Sequence, residues 1–289
     1  MRARKATLLL AAIMQAGTGL GLGTRTKTEL ASNELCMQVF DGYLIVVQGS
    51  IGNRERLNFL LDTGVTRSAI DRGAADAVAL PTGTATLINF DKTIRVESCE
   101  VPELAFGPEH ASNLKMTVAD LGYLGVGGVH VDAVIGWDLL KRKSFRLDFA
   151  RRLVIFEPKD HRGKKFASIW PSDLFLMVAA DVDGLPVRMV ADTGAQGVTF
   201  YQERLAGLGA RYKVRGDSVG RSVGGTITAR IATVARLRLG TQDLDRTVHV
   251  VQAPLSGLPE GIAGYLGFAS LNAREIEFNF EKNELRWSQ

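Results

Sequence analysis

The sequence is poor in the residues that mark several common protein classes. Its 289 residues include two cysteines, Cys36 and Cys99, which are too few for a disulfide scaffold, although their pairing stays open. The four histidines show no paired spacing with cysteine or acidic residues, so we expect no metal site. Long amphipathic helical patterns are also scarce. Short alternating apolar segments predominate instead, and they favour an all-β architecture.

The first 23 residues have the pattern of an export signal. A basic start with Arg2, Arg4 and Lys5 precedes an uncharged stretch centred on 8–10, and a glycine-rich stretch follows. We therefore predict a signal peptide over 1–23 and an exported protein, periplasmic or secreted. The apolar stretch is short for a membrane span. No clear Ala-x-Ala cleavage site follows it, so a retained signal anchor, and with it membrane attachment, stays open.

Positive charge is concentrated in one part of the chain. The net charge is +4, yet residues 141–165 hold ten Lys or Arg and only three acidic residues. Such a run can bind nucleic acid or an anionic membrane. The alternative is a solvated strand edge and linker, where charge discourages edge pairing. We favour the alternative and expect no nucleic-acid partner.

The tripeptide Asp-Thr-Gly occurs twice, at 62–64 and at 192–194, each time after an apolar run. One chance copy is expected in roughly one chain in twenty of this length, so two matched copies indicate a repeat. Two carboxylates from equivalent halves can lie across a pseudo-twofold axis and share one proton. Sharing separates their pKa values, so that one group acts as a base and the other as an acid.

The spacing downstream of each tripeptide supports a duplication. Gly136 follows Asp62 by 74 positions, and Gly267 follows Asp192 by 75. Both glycines end a short apolar segment, Val-Ile-Gly in the first half and Tyr-Leu-Gly in the second. We infer a duplicated unit of about 125 residues.

Local signals recur at matching places in the two halves. A hairpin pattern precedes each aspartate, with turns near 52–53 and at 183–184. A short helix is predicted after each tripeptide, over 71–79 and 201–208. An alternating strand near the end of each half completes the match.

The order of apolar strand, Asp-Thr-Gly and later apolar-apolar-Gly resembles the retropepsin and pepsin aspartic proteases. The detail is most similar to the bacterial retropepsin-like group, with VDAVIGWDLL at 131–140 and FRLDFARRLVIF at 145–156. The resemblance covers nearly everything from Tyr43 onward. Retropepsins supply one Asp-Thr-Gly per chain and dimerise, whereas this chain has two. The resemblance therefore implies a monomer with a bilobal, all-β acid-protease fold, in which pseudo-twofold related β-barrel-like lobes carry short helices.

The resemblance also implies residue roles. Asp62 and Asp192 become the catalytic pair, in which the ionised member takes a proton from a water that attacks the amide carbon. The protonated member hydrogen-bonds the carbonyl oxygen; this proton sharing is the known behaviour of aspartic-protease pairs. The family implies support of the two active-site loops by Thr63, Gly64, Thr193, Gly194, Ile135, Gly136, Leu266 and Gly267. No cofactor is implied, and the partner is a peptide or protein substrate.

Enzymes of this family carry a mobile hairpin flap over the substrate. Gly224 and Gly225 lie some 30 positions after Asp192, and Asn89 and Phe90 occupy the corresponding place in the first half. We predict that these four residues contact substrate. The alternative is an ordinary hairpin turn outside the site.

The repeat divides the chain into segments. We predict a signal peptide at 1–23, an N-terminal segment and possible prosegment at 24–40, and a first lobe at 41–158. A linker at 159–168 and a second lobe at 169–289 follow. The predicted function is an aspartic endopeptidase. Two alternatives stay open: a catalytically silent peptide-binding or cell-envelope scaffold protein, and a homodimer in which one half of each chain is competent.

The residues after the two glycines are Val65 and Ala195, where pepsin-type enzymes usually have Ser or Thr. A hydroxyl there stabilises the ionised aspartate and lowers its pKa. Its absence predicts activity in mildly acidic conditions, roughly pH 4.5–6. Val65 is bulkier than the alanine typical of retropepsins, so the detailed packing of the first loop stays open.

Overall fold

Strands dominate the molecule and confirm the predicted all-β architecture. The computed structural model describes residues 7–8, 30–88, 93–124, 128–222, 225–252 and 261–289. No helix in these ranges is long and apolar enough to cross a membrane. Cys36 is exposed and Cys99 is buried, and both are free thiols.

The first lobe contains eleven strands in its described part. They are β1 Thr7–Leu8, β2 Glu34–Phe40, β3 Leu44–Ile51, β4 Arg54–Leu61, β5 Ala69–Asp71, β6 Leu80–Ile88, β7 Thr93–Phe106, β8 Glu109–Ala119, β9 Ala133–Ile135, β10 Phe145–Asp148 and β11 Leu153–Phe156. Two helices accompany them, α1 Arg72–Val78 and α2 Trp137–Leu140, with a 3-10 turn at Gly122–Leu124.

The second lobe repeats this order. Its strands are β12 Lys165–Pro171, β13 Leu176–Val182, β14 Leu185–Asp192, β15 Val198–Tyr201, β16 Tyr212–Ser222, β17 Gly225–Val234, β18 Leu237–Leu239, β19 Gln242–Asp243, β20 Thr247–Val251, β21 Ile262–Gly267, β22 Glu275–Asn279 and β23 Glu284–Ser288. Helix α3 spans Gln202–Leu208, and a 3-10 turn spans Phe268–Leu271. Helices α1 and α3 lie where the sequence predicted them.

The two Asp-Thr-Gly motifs follow equivalent strands. In the first lobe β4 pairs with β3 and, in parallel, with β9, which places Leu61 opposite Ile135. In the second lobe β14 pairs with β13 and, in parallel, with β21, which places Ala191 opposite Leu266. Strands β5 and β15 then each pair antiparallel with that same downstream strand. The matching spacings of the sequence therefore correspond to one pairing pattern that occurs twice.

A six-stranded antiparallel sheet joins the lobes. Its order is β2, β11, β10, β22, β23 and β12, so each lobe supplies three strands. At the centre Phe145 lies opposite Phe278, and the two rings stack with centroids 4.5 Å apart. This sheet fixes the two lobes against each other and so sets the distance between their loops.

This sheet extends beyond two predicted boundaries. β2 lies within the predicted segment 24–40, yet it pairs with β3 and β11, so the first lobe begins before position 41. β12 starts at Lys165, inside the predicted linker 159–168, and pairs with β23. Both strands are needed to complete the sheet that joins the lobes. Within the predicted signal peptide, the described residues Thr7 and Leu8 pair with β6.

Part of the basic run is buried in ion pairs. The Arg146 side chain is 2% exposed and contacts Glu277 at 2.8 Å and Asp160 at 3.2 Å. His161 Nδ1 lies 2.7 Å from the other oxygen of Glu277. A buried charge needs such partners because it has lost its hydration. Arg146 is therefore occupied inside the protein, whereas the sequence interpretation of the run was a solvated strand edge and linker.

Side-chain alternation separates two kinds of core. On β14, Met189 and Ala191 point into the main core, while Val190 points into a smaller cluster with Tyr201 and Tyr265. β4 shows the same alternation: Phe59 and Leu61 pack in the main core, and Leu60 packs in a second cluster. Residues two apart on a strand share a face, so the two smaller clusters lie on the faces that carry Asp62 and Asp192.

Candidate active site

The carboxyl groups of Asp62 and Asp192 are both buried, at 3% and 0% exposure. One oxygen of each, Oδ1, accepts a hydrogen bond from the glycine of its own tripeptide. Gly64 N donates to Asp62 at 2.9 Å, and Gly194 N donates to Asp192 at 2.8 Å. This bond fixes the carboxyl plane and leaves the second oxygen of each group, Oδ2, for another role.

The two carboxyls lie against the opposite loops. A Cβ placed on Gly64 would come within 2.5 Å of Asp192 Oδ2, and one on Gly194 would come within 2.5 Å of Asp62 Oδ2. Neither glycine has a positive φ, so glycine is required here by space and not by backbone conformation. Asp192 Oδ2 is buried and has no hydrogen-bond partner outside the pair among the described residues. The arrangement brings two acids together in one water-poor site.

Thr63 and Thr193 lock the two loops together. Thr63 Oγ1 donates to Ala191 O at 2.7 Å and accepts from Thr193 N at 3.1 Å. Thr193 Oγ1 donates to Leu61 O at 2.9 Å and accepts from Thr63 N at 3.0 Å. All four bonds are buried and cross between lobes. They hold the aspartates at a fixed separation.

The downstream glycines pack against both loops. A Cβ on Gly136 would lie 2.9 Å from Val65 O, and one on Gly267 would lie 2.7 Å from the Ala195 carbonyl carbon. Asp62 N also donates to Ile135 O at 3.0 Å. Val65 itself is fully buried in the cluster beside Leu60, so its bulk is accommodated by packing.

The first loop has a side-chain support that the sequence did not reveal. Asp138 Oδ1 accepts from Ser68 N at 2.9 Å and from Ser68 Oγ at 2.8 Å. Ser68 Oγ in turn accepts from Gly136 N at 3.0 Å. In the second lobe Gly267 N donates to the backbone oxygen of Gly197 at 3.0 Å. The equivalent loop is therefore held by a backbone acceptor in place of a serine hydroxyl.

Burial raises the pKa values of both aspartates. Burial raises the pKa of Asp62 to about 6, against an opposing contribution from the Gly64 N–H. Burial raises the pKa of Asp192 well above its ordinary value, and the negative charge of Asp62 raises it further. Two carboxyls this close cannot both ionise at little cost, so they share one proton and titrate as a pair.

Tyrosines pack behind Asp192 in the second lobe. Tyr201 and Tyr265 are buried, and their ring centroids are 6.2 Å apart. Burial raises both phenol pKa values, and the charge of Asp192 raises them further. The equivalent strand positions in the first lobe hold Asp71 and Val134. Apolar strand patterns do not reveal this pair, because aromatic residues are expected in any buried strand.

The predicted flap residues are only partly described. Gly225 begins β17 and lies opposite Ser222 near the end of the β16–β17 hairpin. Asn89, Phe90 and Gly224 lie outside the described residues. The predicted hairpins themselves are present, formed by β6 with β7 and by β16 with β17.

Comparison with known families agrees with this geometry. A family model described as aspartyl protease matches residues 47–139 and again residues 178–269. The two matches together cover more than half of the chain, one in each lobe. No curated protein matches the chain. The repeated match, each copy containing one Asp-Thr-Gly loop and its downstream glycine, shows that the chain belongs to the aspartyl protease family.

Proposed function

We propose that the protein is an aspartic endopeptidase that hydrolyses peptide bonds with one water activated between Asp62 and Asp192. The observation that carries the proposal is the close approach of each carboxyl to the opposite glycine, 2.5 Å from a Cβ position. Two buried acids held so close by paired loops cannot both ionise at little cost. They supply a base and an acid within one site.

We assign the base role to Asp62 and the acid role to Asp192, because the charge of Asp62 further raises the pKa of Asp192. Asp62 is ionised and takes a proton from the water as the water oxygen bonds to the amide carbon, and it then passes that proton to the amide nitrogen as the C–N bond breaks. Asp192 is protonated and donates a hydrogen bond to the substrate carbonyl. The threonine lock maintains the geometry while protons move between the two carboxyls.

The proposal extends to partners and location. Both carboxyls come from one chain, which supports a monomer acting on peptide or protein substrates, with no nucleic-acid partner. The basic, then apolar, then glycine-rich pattern of 1–23 supports export to the periplasm or beyond the cell. Attachment to a membrane is expected only if that segment is retained. N-terminal sequencing of exported protein tests this, because an intact Arg2 would support the anchor.

A mixed peptide library tests the activity. Wild-type protein should cleave it, and Asp62→Asn should lose about 10²–10⁴-fold in rate because the general base is gone. Asp76→Asn, an exposed acid on α1, is the matched control and should remain active. Chelators should have no effect. Failure of wild type to cleave, with peptides still bound, would instead support the silent peptide-binding or scaffold alternative; inhibition by a chelator would contradict a two-aspartate mechanism.

A further inference from the structure

The second lobe has a separate cavity of about 540 Å³ on its flank. It lies where β12, β14, α3 and the start of β21 meet. Its apolar walls include Trp170, Pro186, Val187 and Leu208. Trp170 is 41% exposed, which is unusual for so large an apolar side chain. The volume is within the range of small-molecule sites, which combine apolar walls with a few convergent polar groups.

Two guanidinium groups line the same cavity, those of Arg188 and Arg204. Arg204 Nε is buried and has no hydrogen-bond partner among the described residues. Neither arginine forms an ion pair within the part of the chain that the structure describes. One carboxylate, the exposed Glu203, also lines the cavity. A buried donor left without an acceptor costs free energy, so this wall is suited to an anionic ligand.

The cavity is distinct from the catalytic pair. Arg188 lies four residues before Asp192 on β14, roughly 13 Å away at the rise of a strand. Val190 lies between them on the same face and is fully buried. None of the cavity-lining residues belongs to either Asp-Thr-Gly loop. A ligand here would therefore not contact the reacting groups.

We propose that this cavity binds a small monocarboxylate with an aromatic or branched apolar body. A guanidinium presents a planar set of donors that matches a carboxylate. The apolar body would cover the half-exposed indole of Trp170 and the Leu208 side chain. The carboxylate would accept a hydrogen bond from the buried Nε–H of Arg204. Carboxylate recognition and apolar burial are thus both supplied by one cavity.

A matched pair of ligands tests the charge requirement. N-acetyl-L-phenylalanine carries the carboxylate, and N-acetyl-L-phenylalanine amide has the same body without it. Calorimetry on the full chain should show saturable binding of the acid, at least about tenfold tighter than the amide. Trp170 is the half-exposed tryptophan, whereas Trp137 and Trp287 are buried, so its fluorescence should report the binding. Equal affinities for acid and amide, or no binding, would overturn the proposal.

Variants locate the site. Arg204→Gln and Arg188→Gln should each weaken binding of the acid about tenfold or more, while the exposed Arg211→Gln is the control and should not. Trp170→Leu should abolish the fluorescence change. Asp62→Asn should leave the affinity unchanged, because the catalytic pair is elsewhere. An effect of Asp62→Asn equal to that of Arg204→Gln would place the ligand in the cleft and refute the assignment. The measurement needs no peptide hydrolysis, so it stands or falls separately from the proposed activity.

Discussion

The two lobes share one frame but hold their active-site loops differently. In the first lobe the loop is supported by side chains, because Asp138 accepts twice from Ser68, and Ser68 accepts from Gly136. In the second lobe the Gly197 carbonyl accepts directly from Gly267. Ala269 occupies the position equivalent to Asp138. The same loop geometry therefore needs an acceptor at that point, but it does not need a particular residue to supply it.

The lobes also differ behind the aspartates. Asp71 ends β5 and caps α1 by accepting from Gly73 N at 3.0 Å. Tyr201 at the equivalent place has no capping bond to α3, and it faces Tyr265 in a buried pair. Asp192 thus has more aromatic surroundings than Asp62, and burial and the charge of Asp62 raise its pKa. The two acids are positioned by nearly symmetric loops, while the residues behind them differ between the lobes.

The largest effect is expected from breaking the close approach of the lobes. Gly64→Ala and Gly194→Ala each place a methyl group within 2.5 Å of the opposite carboxyl, so the pair must separate. Displacement of reacting groups by about 1 Å can lower activity by about 10²-fold. Both variants should lose activity to that order, as measured by peptide cleavage. Gly207→Ala on α3 is the control, because it has open space around it, and it should be fully active. Loss of activity in only one of the two loop variants would show that the two loops are not equivalent in function.

The hydrogen bonds of Thr63 and those of Thr193 should contribute equally to the free energy of unfolding. Thr63→Val and Thr193→Val each remove one buried donor and one buried acceptor across the interface. Each should lower the free energy of unfolding by about 1–3 kcal/mol, measured by denaturant titration. The exposed Thr228→Val is the control. A double-mutant cycle should show coupling, because both threonines belong to one network. Additive losses would mean that the two sides act independently.

Ser68→Ala tests whether the first loop depends on side-chain support that the second loop does not have. It removes the acceptor of Gly136 N and one partner of Asp138, while the second lobe has no such hydroxyl to remove. We expect a loss of about 1–2 kcal/mol in the free energy of unfolding and a lower kcat. The exposed Ser112→Ala should leave both unchanged. An unaltered kcat with normal stability would show that Gly136 finds another acceptor.

The pH profile distinguishes the two aspartates. Below about pH 6 Asp62 becomes protonated and the base is lost, so activity should fall there. Above the raised pKa of Asp192 both groups are ionised and the acid is lost. The optimum is therefore expected above pH 6, higher than the value suggested by Val65 and Ala195, because burial raises both pKa values.

Two substitutions that add a hydroxyl test the base role of Asp62 and the acid role of Asp192, one on each limb of the pH–rate profile. Val65→Thr places a donor beside Asp62 and should shift the acidic limb downward by about one pH unit or less. Ala195→Ser places one beside Asp192 and should shift the alkaline limb instead. Rate profiles normalised to their maxima measure both shifts. The opposite pattern would exchange the roles of the two aspartates.

The sequence predicted the parts of the site that rest on local order. The spacing from Asp62 to Gly136 predicted a repeated unit, and helices α1 and α3 follow the two loops as expected. The bond between Ser68 and Asp138 spans 70 positions, and no local pattern marks it. β2 alternates apolar and polar residues, which is a strand signal, but the adjoining export signal favoured a prosegment interpretation. Whether such a segment forms part of the folded lobe depends on long-range strand pairing in the sheet that joins the lobes.

The central claim is that one chain supplies both members of one catalytic pair. Its most direct test is peptide cleavage by Asp62→Asn, by Asp192→Asn and by an equimolar refolded mixture of the two, beside wild type. We predict that wild type alone cleaves, since no single chain in the mixture has both acids. Activity close to that of wild type in either single variant would contradict the shared pair. Activity restored in the mixture would show that the pair forms between chains, as in a dimer.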